Sequence, residues 1–205
     1  MSTVVNDRIA FLHVPKTGGS WVTRAMRAAG VELRDFPLPA AKRGHGGLEA
    51  VGRGDLFMFA FVRDPFDWYA SFWRHRQKFG DWDSANPMDE FARRPFTEFV
   101  LQVATQRPRH LTLVYERYCG PPEDPISFVG RYERLTEDLV TALTLAGQRF
   151  DEDALYAYPP VNTTDRDDPR TAFTPQARDA LLASERDAFA RFYPELVEAP
   201  RARRT

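Results

Sequence analysis

The reading of the fold turns on "FLHVPKTGGSW", residues 11–21. An apolar run, "RIAFLHV" at 8–14, halts at Pro15; Lys16, Thr17, Gly18, Gly19 and Ser20 follow. The next segment, Ser20 to Ala29, carries apolar residues at 21, 22, 25 and 26 and stops at Gly30. That spacing predicts an amphipathic helix with a glycine stop, entered from a buried strand. Strand, glycine loop and helix in this order form the phosphate-binding unit of α/β proteins. Successive backbone N–H groups around Gly18 and Gly19 make an anion cradle, and glycine lets the anion come close to the chain. Lys16 adds a charge, and Thr17 and Ser20 add hydroxyls.

Working outward, "VELRDF" (31–36) reads as a second strand, and "LFMFAFV" (56–62), uncharged throughout, as a central strand buried on both faces. "ISFVGRY" (126–132) gives another buried strand, followed by a helix closed at Gly147. After the central strand, Asp64 is placed to cap a helix and Pro65 to begin it. Met88 to Gln106 reads as helical with an interruption at Pro95, and residues 107–125 as loop and helix fragments. The stretch 158–170 reads as a long polar loop, and 174–194 as one helix with Thr174 as cap and Pro194 as stop. Alternating strands and helices predict an α/β fold: a three-layer parallel sheet with helices on both faces. Ligands then sit at the carboxyl ends of the strands. The ends that matter are Pro15–Ser20, Arg63–Asp64 and Arg131–Glu133.

The chain of 205 residues suits a single domain, 1–205, with a disordered tail from about residue 197. A net charge of −1 gives no global attraction to nucleic acid or to an anionic membrane, so any anion site is local. Cys119 is the sole cysteine, which rules out an internal disulfide and reads as an inert small residue. No signal peptide and no apolar run near the ~20 residues of a membrane span are visible, so the expected location is cytoplasmic.

The loop departs from a Walker A sequence, which needs G-x-x-x-x-G-K-[ST]; here the lysine precedes the glycines. No strand ends in a convincing magnesium carboxylate either, because Asp64 lies beside Arg63. A metal-dependent nucleotide kinase or ATPase stays an alternative, as does a non-catalytic nucleotide-binding module. The second constellation is "FVRDPFDWYASFWRHR". Arg63 follows the central strand, and Ser71 lies about two helical turns on. An arginine and a hydroxyl in this order suit a second phosphate; an Arg63 ion pair with Asp64 or Asp67 is the plain structural alternative.

Together "HVPKTGGSW" and "FVRDPFDWYASFW" resemble the sulfotransferases that use 3′-phosphoadenosine 5′-phosphosulfate (PAPS), in particular small carbohydrate-type members. "VGRYERLTEDLVTAL" is similar to that family's tyrosine-glutamate segment near the adenine, and the likeness runs from about residue 8 to 194. The resemblance implies a P-loop-like nucleotide-binding fold, PAPS as co-substrate, PAP as product, and a hydroxyl-bearing carbohydrate or small-molecule acceptor. By it, Lys16, Thr17, Gly18, Gly19, Ser20 and Trp21 contact the 5′-phosphosulfate. Arg63 and Ser71 contact the 3′-phosphate, Tyr132 lines the adenine site, and Asn162 to Thr164 close over the donor.

Sulfuryl transfer, like phosphoryl transfer, needs alignment, charge stabilisation on the leaving group and removal of the acceptor's proton. Lys16 serves the leaving phosphate. The sulfuryl group carries less charge than a phosphoryl, so no metal is expected. Of the four histidines, His45 in "KRGHGGLEAV" matches the place where carbohydrate-type relatives keep a catalytic histidine, and it is the expected general base. Glu49 is the substitute. His13 reads as a loop brace, His75 as part of a basic helix end, and His110 has no motif around it. Trp68, Tyr69, Trp73, Phe79 and Trp82 read mostly as core.

Overall fold

The computed structural model describes residues 4–36, 46–52, 54–80, 86–161 and 168–198. The chain divides into two compact units, Met1–Arg63 with Val114–Thr163, and Asp64–Leu113 with Thr164–Thr205.

The first unit is built on a five-stranded sheet in the order β3-β1-β2-β4-β5. Its strands are β1 (Val4–Val5), β2 (Ile9–Leu12), β3 (Arg34–Asp35), β4 (Phe57–Val62) and β5 (Phe128–Arg131). β2, β4 and β5 run parallel, with Ile9 opposite Phe57 and Val62 opposite Arg131. The expectation of a wholly parallel sheet is corrected at one edge: β1 pairs antiparallel with both β2 and β3. The cause is local. The Asn6 side-chain oxygen accepts hydrogen bonds from the N–H groups of Arg8 and Ile9 at 2.8 and 2.9 Å, turning the chain back after only two strand residues.

All four β2 residues are buried, as are five of the six in β4. This all-round apolarity marks strands covered on both faces. Helix α1 (Gly19–Ala28) buries Trp21, Val22, Ala25 and Met26 against this core. Helix α7 (Leu135–Leu145) adds Leu139, Ala142 and Leu143, and α8 (Glu152–Ala157) adds Leu155. A short helix α2 (Leu48–Val51) precedes β4.

The second unit is helical. Helix α3 (Pro65–Phe79) begins as the sequence indicates, with Asp64 accepting from the N–H of Phe66 at 2.8 Å and Pro65 in the first position. α4 (Pro87–Ala92) and α5 (Phe96–Gln106) flank the break at Pro95. Trp68 stacks on Phe72, and Phe72 on Phe99, at 5.5 and 6.0 Å between ring centres. Trp73 meets Phe96 edge-on, and Trp68, Tyr69 and Trp73 are buried; Phe79 instead stands exposed.

Two helical expectations change. Residues 110–119, expected as fragments, form one helix, α6 (His110–Cys119). The single helix expected over 174–194 is split at Glu185 into α9 (Pro175–Ser184) and α10 (Arg186–Phe192), with α11 (Pro194–Glu198) after the proline. Glu185 is fully buried. Its carboxylate accepts from Tyr69 Oη, the N–H groups of Leu111 and Thr112, and Thr112 Oγ1, at 2.8 to 3.1 Å. It thereby satisfies first-turn donors of α6 that no intrahelical carbonyl reaches. The expected tail residues 199–205 lie outside the described residues, as do Trp82, His45 and Asn162 to Thr164.

Candidate functional site

The loop between β2 and α1 is held from behind. Thr17 is fully buried, and its hydroxyl donates to the Val14 carbonyl at 2.9 Å. That bond braces the turn, so the Thr17 side chain serves the loop's shape. Gly18 adopts φ +81°, and Lys16 also sits in the left-handed region at φ +67°. Alternation of left-handed and right-handed residues turns successive N–H groups toward one side. Gly19 opens α1, and a β-carbon there would lie 2.0 Å from the Cδ2 of His13. Only glycine fits that close approach, and His13, 7 % exposed and stacked on Phe11, is the brace. A β-carbon on Gly18 would lie 2.8 Å from Leu135 Cδ2 and 3.1 Å from Tyr132 Cδ2.

Ser20 occupies the first turn of α1 and is partly exposed. Trp21, expected at the ligand, turns its ring into the core, where it meets Tyr158 edge-on at 6.1 Å. Its N–H donates to the Gly18 carbonyl at 2.8 Å. Trp21 therefore anchors the helix that the loop opens.

Arg63 follows β4 directly and lies beside this loop. Its guanidinium Nη1 approaches the Lys16 carbonyl at 3.4 Å, and its Cζ lies 4.2 Å from the centre of the Tyr132 ring. Arg63 is 5 % exposed. Its backbone is gripped by Tyr115 of α6, whose hydroxyl donates to the Arg63 carbonyl at 2.6 Å and accepts from the Arg63 N–H at 3.1 Å. Burial pushes the Tyr115 phenol well above its ordinary range, which keeps it protonated and able to donate. Tyr132 opens a one-turn helix, Tyr132–Arg134, and the N–H of Arg131 before it donates to Asp138 at 2.7 Å. Lys16, Gly18, Arg63 and Tyr132 are thus brought together, although 47 residues separate Lys16 from Arg63. Sequence reasoning misses Tyr115; its signal is the burial period Leu111, Tyr115, Tyr118 along α6.

The chain matches a family profile described as the sulfotransferase family over residues 3–168. The chain belongs to the sulfotransferase family. It is a transferase enzyme, and the matched span contains the loop, Arg63, Ser71 and Tyr132. No curated protein and no solved structure matches it.

Elsewhere in this sulfotransferase, Ser71 is 4 % exposed on α3, in the second unit. His45 lies outside the described residues, but its proposed substitute does not. Glu49 on α2 accepts from Arg117 Nε and Nη2 at 2.9 and 2.6 Å, and this pair raises the arginine's pKa. Glu49 is thus held in a half-exposed ion pair with Arg117. The His75 ring lies 4.7 Å from that of Phe79, tilted by 56°. Burial lowers the pKa of His110; Glu185 opposes that shift and Arg107 adds to it. Among the described residues no group of three or more His, Cys, Asp or Glu side chains is arranged to hold a metal ion, and no helix is long and apolar enough to cross a membrane.

Proposed function

We propose that this sulfotransferase moves the sulfuryl group of PAPS to a hydroxyl of a carbohydrate or small-molecule acceptor by in-line displacement, with His45 as general base. The observation that carries the donor assignment is the braced Gly18–Gly19 turn opening α1 with Arg63 drawn in beside it. The fit is chemical. The turn leaves no room for a side chain on its inner face, and a helix N-terminus favours an anion. We also infer a three-layer, P-loop-like arrangement for the whole fold.

PAPS supplies the sulfuryl group and a phosphate that leaves with negative charge. Lys16 and the first-turn N–H groups of α1 stabilise that charge as it develops. Gly18 and Gly19 let the turn close tightly on His13, Leu135 and Tyr132, and Ser20 offers a hydroxyl. Thr17 keeps the turn in shape and Trp21 anchors α1. Arg63 takes the 3′-phosphate through its guanidinium edge. Ser71 keeps the same role on the sequence pattern alone. His45 accepts the acceptor's proton, and no metal is required for this charge balance.

Thermal unfolding with PAP, PAPS, AMP and ATP tests the reading. A ligand at a hundred times its Kd stabilises the folded state by about 2.7 kcal/mol. PAP and PAPS are expected to raise Tm well above AMP at equal concentration, and sulfuryl transfer to persist in EDTA. Stabilisation by AMP equal to that by PAP would remove the 3′-phosphate site, because that group alone distinguishes them.

A further inference from the structure

The family likeness sets Tyr132 against the donor's adenine. The local geometry gives it other work. We propose that Tyr132 is a positioning residue that holds Arg63 for the 3′-phosphate, and so sets the preference for 3′-phosphorylated nucleotides. This rests on the role given to Arg63 above.

Four observations converge. The Arg63 guanidinium lies over the Tyr132 ring at 4.2 Å, well inside the ~6 Å reach of a cation–π contact. The contact engages the face of the tyrosine ring. A cation–π attraction acts through the ring face and is not itself one of the guanidinium's N–H hydrogen bonds. The Lys16 carbonyl takes Nη1 at 3.4 Å, and Tyr115 fixes the Arg63 backbone at both its N–H and its carbonyl. The arginine is therefore located at its root, at one corner and at its Cζ.

The tyrosine is itself fixed. Its Cδ2 and Cε2 edge stands 3.1 and 3.2 Å from where a Gly18 β-carbon would be. The turn that carries it is tied down by Asp138 through the Arg131 N–H at 2.7 Å. One face of the ring is covered by Arg63, so adenine does not stack there. Arg63 is 5 % exposed, and the ring's negative face contributes to the electrostatic compensation that a buried cation needs.

The test is the ratio of AMP Kd to PAP Kd, read by calorimetry on the full chain. Arg63→Ala should collapse the ratio toward one. If it does not, the reading of Arg63 fails, and the role of Tyr132 falls with it. Given that collapse, Tyr132→Phe, which keeps the ring face, should retain the ratio. Tyr132→Met, which removes the face, should weaken PAP about three- to tenfold while leaving AMP unchanged. Equal weakening of PAP and AMP by Tyr132→Met would show that Tyr132 meets the nucleoside, and would overturn the proposal. A series of mono-, di- and trifluorinated phenylalanines at position 132 keeps shape and folding while draining the ring's negative face. The ratio should fall stepwise along the series; a flat series would overturn the proposal even if Tyr132→Met does not fold.

Discussion

Replacing Tyr115 with phenylalanine removes one oxygen atom and, with it, two hydrogen bonds. The hydroxyl donates to the Arg63 carbonyl at 2.6 Å and accepts from the Arg63 N–H at 3.1 Å, and Tyr115 is fully buried. Each bond contributes about 1 kcal/mol net to folding. The loss is larger where the abandoned groups stay dry, because an unpaired buried N–H or C=O costs roughly 1–3 kcal/mol. Arg63 is buried and lies at the end of a covered strand, so little water reaches its backbone. The sum for Tyr115→Phe is therefore about 2–4 kcal/mol of stability. For a chain of this length that is roughly 5–15 °C in Tm. Urea unfolding followed by tryptophan fluorescence measures it directly, with an unchanged slope and a lowered midpoint expected. A loss below about 0.5 kcal/mol would refute the reasoning, since it would mean that the hydroxyl's two partners are satisfied without it.

Other outcomes follow from the same geometry. Gly19→Ala places a β-carbon 2.0 Å from His13 Cδ2, so turnover and PAP binding should both be lost; adding His13→Ala should restore part of the PAP affinity. Recovery failing in the double variant, with the fold intact by circular dichroism, would count against the clash as the cause. His45→Ala should lower kcat by ~10²–10⁴ with little change in PAP Kd, as removal of a general base does; an unchanged kcat refutes that role. His110 is held below its ordinary pKa by burial, so the unfolded chain binds more protons on acidification. Its contribution to stability is full above about pH 6.5 and is lost as pH falls through the depressed value. His110→Asn should flatten the urea midpoint against pH in that range, and an identical profile would contradict the burial effect.

The parts of the fold legible in the sequence are those set by local pattern. β2 and β4 are apolar runs without charge, and Pro15, Gly30 and Asp64–Pro65 punctuate their surroundings. β1 escapes notice because two valines make no period, and only Asn6 and Asp7 hint at the turn that follows. The break at Glu185 cannot be read locally: the segment has helical spacing throughout. The helix parts because a carboxylate turns inward to Leu111 and Thr112, more than 70 residues away. The site shows the same division. The Lys16–Ser20 loop is plain from its own residues, whereas the Arg63–Tyr132 contact joins positions 69 apart and leaves no trace in either neighbourhood. The packing of the Trp21 ring is hidden for a related reason, since a motif gives a residue's place in the chain and not the side to which its ring turns.

The rings and the threonine bond behind the loop have a thermodynamic consequence. Ordering a flexible backbone costs about 1–2 kcal/mol per residue, and a loop that forms only around its ligand must meet that cost at every binding event. Here His13, Tyr132, Leu135 and the Thr17–Val14 bond have met it already, during folding. Nucleotide capture at this turn should therefore carry a small ordering entropy. NMR order parameters of the Gly18 and Gly19 backbone should be nearly the same in the empty protein and in the loaded one.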